Sequence, residues 1–291
     1  MNRSQRAKCL MFILSALIFL VCALYQIINI VTTSDTVFLI GPLLVYVFTH
    51  ILRAIRLGVL LASVRARHLL ILYLYTAACA LVIPFNLGEL VRLNEIACFS
   101  RSYGRALLIV WIERLLDVIA LGILAFFVIY SGYYDLKFIH PFLWKMTSFI
   151  GISVTFFFIV PEQLSLLNLH VMRSYKGAKA VYMLRLLDSF SQIFEQVRPL
   201  LTGKFLTVSM LTLLIWAGEL LAMIHLLNFV PWQNLAINLV QEFSWALNLN
   251  WQEISEFGQL ARIKLIVMIV FGVFSLLFYY RLRMKVSNGN K

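Results

Sequence analysis

Two short clusters of charged residues interrupt otherwise apolar stretches of this chain. The first has the sequence PFNLGELVR, in which Glu89 and Arg92 stand three residues apart. These two side chains share one face, and can pair, if the segment turns helical after Gly88. Ionisable side chains inside apolar segments are costly to bury, so they usually face the interior of a helix bundle or a water-filled cavity. This first cluster is therefore a candidate functional element.

The second cluster has the sequence WIERLLD and holds Glu113, Arg114 and Asp117. Its two carboxylates are four residues apart on one helical face, and Arg114 reaches Asp117 across three residues. One such pair alone would indicate an ion pair that braces the fold. Two clusters, one at a broken helix and one in the next apolar segment, favour a shared polar pocket.

The side chains of these clusters suit anion binding better than catalysis. Paired carboxylates can act as general acid and base, but no nucleophile, metal-ligand set or glycine-rich phosphate loop accompanies them in the sequence. We therefore expect no enzymatic activity, no metal and no cofactor. The guanidinium group is planar and permanently charged and suits phosphate oxygens. Six arginines are candidates to line a path for an anionic lipid headgroup, although a bracing role is favoured for the first two: Arg53, Arg56, Arg92, Arg101, Arg105 and Arg114. In the alternative, Arg92 and Arg114 merely neutralise the neighbouring carboxylates and brace the fold.

Further charged residues lie in two other apolar segments. Arg53 and Arg56 stand towards the end of the second, where we expect their side chains to snorkel to the membrane interface. Glu219 lies in the sixth, within the sequence WAGE, and no residue nearby in sequence can neutralise it. A partner on another helix, or protonation of the carboxyl group, would account for it. We include Glu219 in the predicted pocket.

The composition excludes a soluble domain. Hydrophobic residues make up 62% of the 291 residues and charged residues 13%, whereas soluble domains carry about 45–50% and about 25% respectively. The apolar residues form long runs and do not alternate, which is typical of membrane helices and not of a barrel. The net charge of +12 comes mainly from residues between these runs, where the positive-inside rule places basic side chains. We therefore expect no nucleic-acid partner.

The runs predict an all-α polytopic membrane protein that forms one integral membrane domain over residues 1–291. A spanning helix needs about 20 apolar residues, and the segments that meet or approach this length are 9–31, 37–64, 69–92, 106–130, 141–160, 205–230 and 265–280. The last of these ends in two tyrosines and is followed by Arg281 and Arg283, which we interpret as interfacial anchors. Residues 181–203 carry apolar side chains at steps of three and four, which predicts an amphipathic helix on the membrane surface. A loop helix packed on the bundle explains the same pattern equally well.

The distribution of charge decides how the third segment is placed. If residues 69–87 cross the bilayer fully, the basic segment 164–204 falls on the outer side, against the positive-inside rule. If they dip in and turn back near Pro84 and Gly88, that segment and both termini are cytoplasmic. The outer connections 32–36, 131–140 and 231–262 then hold five acidic and two basic residues: Asp35, Asp135, Glu242, Glu253, Glu256, Lys137 and Arg262. We therefore predict six spans plus one re-entrant segment, about seven membrane segments in all, in the inner (plasma) membrane.

The order of these motifs resembles that of one family of integral membrane proteins. The stretches IPFNLGELVR and ALLIVWIERLLDVIAL, separated by a basic linker, are similar to the lysylphosphatidylglycerol synthase transmembrane-region, or flippase-like, family. In that family a Pro…Gly-Glu…Arg element precedes a helix with Glu-Arg-x-x-Asp. LRAIRLGVLL resembles its Arg-x-x-Arg region, and Trp216 with Glu219 resembles its later Trp…Glu helix. The resemblance covers most of the chain and implies a site role for these positions: Gly88, Glu89, Arg92, Glu113, Arg114 and Asp117.

Two departures from the family pattern limit what the resemblance implies. Residues 231–262 have no counterpart of the Pro-Gly-Gly-x-Gly-like element that often precedes the family's last spans. The resemblance therefore does not extend to the second half of a translocation path. No hydrophilic aminoacyl-transferase domain follows Tyr280, so we do not expect lysyl transfer to lipid.

The sequence thus predicts a flippase-like or transporter-like membrane protein that handles an anionic phospholipid or a polyprenyl-phosphate-linked lipid. The predicted headgroup pocket comprises Gly88, Glu89, Arg92, Glu113, Arg114, Asp117 and Glu219. The alternative is a non-transporting accessory protein, a scaffold for a lipid- or glycan-modifying enzyme. Expected partners are the anionic lipid and the membrane, and a second copy of the chain or a lipid-modifying enzyme are further candidates.

Overall fold

The described part of the chain is built from helices. The computed structural model describes residues 3–32, 40–61, 66–84, 87–100, 102–130, 136–174, 178–226 and 258–288, and these contain no strand. The helices are α1 (Arg3–Thr32), α2 (Ile40–Leu61), α3 (Ala66–Val82), α4 (Leu87–Ser100), α5 (Tyr103–Tyr130), α6 (Leu136–Val154), α7 (Val160–Ser174), α8 (Ala178–Glu195), α9 (Val197–Leu201), α10 (Phe205–Leu226) and α11 (Gly258–Asn288). A π-helical turn, Thr155–Ile159, joins α6 to α7. The prediction of an all-α protein is confirmed for these residues, and most of the predicted outer connection 231–262 lies outside them.

Four helices in the described ranges are long and apolar enough to cross a membrane. They contain the stretches Leu10–Ile28, Leu43–Leu61, Leu143–Ser174 and Phe205–Ala222. The stretches Ala66–Val82 and Lys264–Tyr279 are apolar but shorter. α5 has 28 residues, but the three charged residues of the WIERLLD cluster interrupt its apolar sequence. The structure thus supports several membrane-crossing helices, and the total of seven segments stays a prediction.

The third predicted segment is a helical hairpin and not one continuous helix. The chain turns between residues 82 and 87, and α3 and α4 pack against each other. Pro84 ends α3 because a proline disfavours the helical conformation of the residue before it. A Cβ atom added at Gly88 would lie 2.1 Å from the carbonyl oxygen of Cys79 and 2.5 Å from Cα of Ala80. Gly88 therefore lets α4 begin in direct contact with the α3 backbone, and the predicted helix break near these residues is confirmed.

α2 lies at the centre of the bundle. It packs against α3, α5, α10 and α11, while α1 covers the outer side of α3 and α11. Ala54, Leu57 and Leu61 of α2 are all buried in the main core. They recur at steps of three and four, the spacing that aligns side chains along one helix face. The two arginines of α2 stand within this same run of sequence, so the packing of α2 carries them towards the bundle interior.

Aromatic contacts hold α5 against the long helix formed by α6, the π-helical turn and α7. The Trp111 ring stacks on Phe156 of the π-helical turn with a centroid distance of 4.8 Å. Trp111 Nε1 donates a hydrogen bond to Ser153 Oγ at 2.9 Å. Phe156 also contacts Phe194 of α8, again at 4.8 Å between centroids. These contacts fix one face of α5, and the charged cluster projects from another.

The predicted amphipathic helix at residues 181–203 corresponds to α8 and α9. Ala180 and Leu187 of α8 form a small separate cluster with Val171 of α7, and Ile193 packs against the main core. Several apolar side chains on the remaining surface of α8 are exposed: Val181, Tyr182, Met183, Leu186 and Phe190. The helix therefore packs partly on the bundle, and its location on a membrane surface stays a prediction.

Replacing Gly88 with alanine tests the hairpin. The new methyl group would overlap the α3 backbone, which cannot move aside as a flexible side chain can. We expect Gly88→Ala to lose roughly 2–3 kcal/mol of stability, seen as a lower Tm of the protein in detergent. Gly151→Ala is the matched control because no atom lies within 4 Å of its Cβ position, and alanine favours a helix over glycine by about 0.5–1 kcal/mol. Equal Tm values for the two variants would contradict the close packing of α3 and α4.

Candidate functional site

A network of ion pairs joins five helices in the interior of the bundle. It draws basic side chains from α2, α4, α5 and α11 and acidic side chains from α4, α5 and α10: Arg53, Arg56, Arg92, Arg114, Lys264, Glu89, Glu113, Asp117 and Glu219. The network includes every charged residue of the predicted pocket, and Gly88 adjoins it at the start of α4. Its ion pairs form three neighbouring groups: a buried centre around Arg56, and two more exposed groups, which we call its ends, around Glu219 and at the pair of Arg114 with Glu89.

Arg56 forms the centre of the network. Its Nη1 and Nη2 donate to Oδ1 and Oδ2 of Asp117 at 2.7 and 3.1 Å, a bidentate geometry that is strong and directional. Nη1 also donates to Thr212 Oγ1 at 3.0 Å, and Nε lies 3.6 Å from Oε1 of Glu113. The Arg56 side chain is only 3% exposed. A guanidinium group buried this deeply needs such partners, because an isolated charge in an apolar interior is highly unfavourable.

The two carboxylates of α5 bind further donors around this centre. Arg92 of α4 donates from Nη2 to Oε2 of Glu113. Trp216 of α10 donates from Nε1 to Oδ1 of Asp117 at 3.2 Å. Glu113 and Asp117 stand one helical turn apart, so α2, α4 and α10 all bind the same face of α5.

One end of the network, the pair of Arg114 with Glu89, is partly exposed. Arg114 Nη2 contacts Glu89 Oε1 between α5 and α4, and the two side chains are 41% and 24% exposed. Ion pairs at exposed positions contribute little net stability because each charge is also well solvated. The Arg114 side chain meets this condition, whereas both carboxylate oxygens of Glu89 are buried.

The other end of the network is Glu219, which binds two cations. Its Oε1 accepts from Arg53 Nη2 at 2.9 Å and from Thr49 Oγ1 at 3.3 Å, and its Oε2 lies 3.0 Å from Lys264 Nζ. A single carboxylate of α10 thus joins α2 to α11. Glu219 is buried, whereas the Arg53 side chain is 26% exposed.

The structure brings the predicted residues together but pairs them differently. Glu89 pairs with Arg114 of α5 and not with Arg92, three residues away. Asp117 pairs with Arg56 of α2 and not with Arg114. The expected pairing within each motif is therefore wrong. Side chains three residues apart meet on an isolated helix, but in a bundle the neighbouring helices offer partners across each interface.

The sequence predicts different surroundings for the charged residues outside the two motifs: an interior partner for Glu219, and the membrane interface for Arg53 and Arg56. The partner that Glu219 was expected to find on another helix is confirmed, in the form of Arg53 and Lys264. The expectation that Arg56 snorkels to the interface is wrong, because this side chain is buried among Asp117, Glu113 and Thr212. Arg53 likewise reaches inward. The sequence did contain a signal for this inward orientation. Arg53 and Arg56 are three residues apart within an apolar run, which places both on one helix face.

Residue spacing in the sequence did not predict two other features of the structure, the position of Lys264 and the burial of Tyr279. Lys264 precedes the apolar part of α11, and no spacing relates it to Glu219, 45 residues earlier. Tyr279, one of the two tyrosines that end the seventh apolar segment, is fully buried. Its hydroxyl donates to Glu95 Oε2 at 2.6 Å, and its ring stacks on Tyr75 at a centroid distance of 4.9 Å. Both contacts depend on how distant helices pack, which residue spacing does not encode.

Comparison with known protein families finds the family that the sequence motifs resemble. The model of the family described as the lysylphosphatidylglycerol synthase TM region matches residues 9–240. The chain belongs to this family. The match covers every network residue except Lys264, and family membership together with the long apolar helices makes the chain a multi-pass membrane protein. Comparisons with curated proteins and with solved structures found no match.

Substitutions of Arg56 and Asp117 test the buried centre. Arg56→Met leaves Asp117 in the interior without its main partner, which costs about 3–5 kcal/mol, so we expect a large fall in Tm in detergent. The double variant Arg56→Met/Asp117→Leu removes both charges and is expected to recover most of that loss. Arg185→Met on the exposed surface of α8 is the control and is expected to change the Tm little. An Arg56→Met protein as stable as this control would refute the central role of the pair.

Proposed function

We propose that this protein binds the headgroup of an anionic lipid, a phospholipid or a polyprenyl-phosphate-linked lipid, and carries it across the inner membrane. The headgroup occupies a polar pocket at the ion-pair network, and the acyl chains stay in the bilayer. Membership of a lipid-related membrane family supports the lipid as ligand. The pocket residues proposed from the sequence are retained, and Arg53, Arg56 and Lys264 are added to them.

The observation that carries this proposal is the gradient of exposure along the network. Its central pair is almost fully buried, while Arg114 and Glu89 at one end and Arg53 at the other are partly exposed. Charges that serve only to brace helices need no opening to the outside. Ionisable residues among membrane helices usually line a pathway or a wet cavity, and the open ends are positioned to meet a charged headgroup.

In the proposed mechanism, a lipid phosphate replaces a carboxylate as the ion-pair partner of an arginine. A lipid phosphate has the charge and the oxygen geometry of a carboxylate, so it can replace Glu89 as the partner of Arg114. Glu89 then becomes available for a cationic part of a headgroup. The buried pair of Arg56 and Asp117 keeps its hydrogen bonds throughout and fixes the wall of the pocket.

The proposed topology places this pocket within the membrane. We propose six spans, with the α3–α4 hairpin as a re-entrant element and both termini in the cytoplasm. The helix lengths support the hairpin as re-entrant, because α3 and α4 have only 17 and 14 residues and a spanning helix needs about 20. The turn at Pro84 then lies within the bilayer next to packed helices, where a break in the helix is tolerated.

Substitutions at the open pair test transport. Arg114→Ala and Glu89→Ala each remove one member of the pair that meets the headgroup, so we expect translocation of a fluorescent anionic phospholipid in reconstituted vesicles to fall at least tenfold, the loss of one charge-assisted hydrogen bond. Expression and Tm are expected to stay near wild-type, because both side chains are partly exposed. Arg185→Ala and Glu162→Ala, at exposed positions of α8 and α7, make the same changes of charge and are expected to leave translocation intact.

The accessory-protein alternative makes the opposite prediction for the same proteins. In a scaffold the Arg114 and Glu89 variants lower the amount of folded protein, and no anionic lipid co-purifies with the wild-type chain. Wild-type translocation in both purified variants would refute the pocket. Release of phosphate from a lipid substrate would point instead to an enzyme.

A further inference from the structure

An exposed stripe runs along α5 between the two helices that flank it. α4 packs on the side of α5 that carries Glu113, and α6 packs on the side that carries Trp111. Since each residue of a helix is turned by about 100° from the last, Leu107 and Arg114 both point between these two contacts. Leu107 is 37% exposed, and the Arg114 side chain is 41% exposed. The face of α5 between its two neighbours is therefore partly exposed at these residues.

The stripe ends one helical turn beyond Arg114. Val118 and Leu121 continue the same face at steps of four and three residues, but both are buried. Leu107 and Arg114 thus form the floor of a groove whose closed end lies next to the charged residue. We call it the α5 groove and define it by these two residues of α5 and by Leu90 of α4.

α4 forms one wall of the α5 groove. Gly88 packs on the α3 backbone, and Arg92 binds a carboxylate of α5, so both residues face the bundle interior. Leu90 faces the other way and is 61% exposed. Glu89 lies at the boundary between these two faces, where it contacts Arg114. Leu90 therefore stands beside the ion pair, at the outer edge of the groove.

The second wall is aromatic and held in place by several contacts. Trp111 of α5 stacks on Phe149 of α6 and on Phe156 of the π-helical turn. Its Nε1 donates to Ser153, so the polar atom of the ring already has a partner. Because this wall is fixed, the width of the groove depends on α4 and on the side chains of the floor.

The α5 groove combines a charge with apolar side chains. Exposed leucines suit the acyl chains of a bilayer, whereas a charged side chain among them is costly unless a polar group covers it. Glu89 covers Arg114 only in part, because much of the guanidinium side chain stays exposed. An anionic lipid meets both needs at once, since its phosphate matches the guanidinium group and its acyl chains match Leu90 and Leu107.

From this match we propose that the α5 groove is the lateral entry site of the protein, through which an anionic lipid reaches Arg114 from the side, between α4 and α6. The entry site rests on the function proposed above and adds the route of the headgroup. The lipid enters from within the bilayer and not through an opening at the end of the bundle. Its chains lie against Leu90 and Leu107 when its phosphate meets Arg114.

Photolabelling of the full-length protein in a phosphate-free sugar detergent tests this site. The probes are phosphatidylglycerol and diacylglycerol, each with a photoactivatable group in its acyl chain, and mass spectrometry locates the label. The ratio of phosphatidylglycerol label to diacylglycerol label is expected to be about tenfold higher at Leu90 and Leu107 than elsewhere, because only the first probe carries a phosphate. Leu20 and Leu24 of α1 are the matched controls, since they are exposed to the same extents as Leu107 and Leu90.

Two substitutions separate the charge of the groove from its space. Arg114→Ala is expected to lower the ratio at Leu90 and Leu107 to that of the α1 controls. Leu107→Trp keeps the charge but fills the groove, so phosphatidylglycerol label at Leu90 is expected to fall about fivefold or more. Arg185→Ala on α8 and Leu20→Trp on α1 make the same changes at exposed positions elsewhere and are expected to leave the labelling unchanged.

Two results of the labelling would overturn the entry site: equal ratios in the groove and on α1, or a groove ratio that survives Arg114→Ala. A second copy of the chain seated in the groove would overturn it as well. That arrangement leaves Leu90 and Leu107 without label and gives disulfide-linked dimers of Leu107→Cys that the wild-type does not form.

The labelling does not depend on transport, so the two proposals can fail separately. A protein that is labelled in the groove with the expected ratio but moves no lipid keeps the entry site and loses the proposed function. A protein that moves lipid without specific label in the groove keeps the function and loses the entry site.

Discussion

The need to neutralise Arg56 inside an apolar bundle constrains the rest of this structure. A guanidinium group cannot be deprotonated to escape burial, so partners must surround it on all sides. Asp117 supplies both carboxylate oxygens from α5, and Thr212 adds a hydroxyl from α10. The helices that carry these partners, α5 and α10, are therefore fixed relative to α2.

Burial and exposure divide the network into parts with different physical consequences. In the centre, removal of one charged side chain leaves its partner buried without a counter-charge, so these pairs determine the stability of the fold. The side chains of Arg114 and Arg53 are partly exposed, so the loss of an ion-pair partner costs less free energy there.

Local features of the sequence were sufficient for much of this architecture. Long apolar runs predict the helices, Pro84 and Gly88 predict the break between α3 and α4, and the charged residues of the two motifs predict where polar side chains gather. The pairing of those residues was not predictable, because a charged group chooses among all helices that surround it. Lys264 illustrates the difficulty: it is far in sequence from Glu219, and it lies beyond residues 9–240, which the family comparison matches.

The long helix that carries the π-helical turn has a consequence for where the bilayer ends. The stretch Leu143–Ser174 has 32 residues, so it measures about 48 Å at about 1.5 Å per residue, against a hydrocarbon core of about 30 Å. Its apolar part ends near Pro161, and exposed polar residues begin at Glu162 and Gln163. The apolar length that suits a bilayer therefore ends just after the π-helical turn, and α7 is the polar continuation of this helix, which packs against α8.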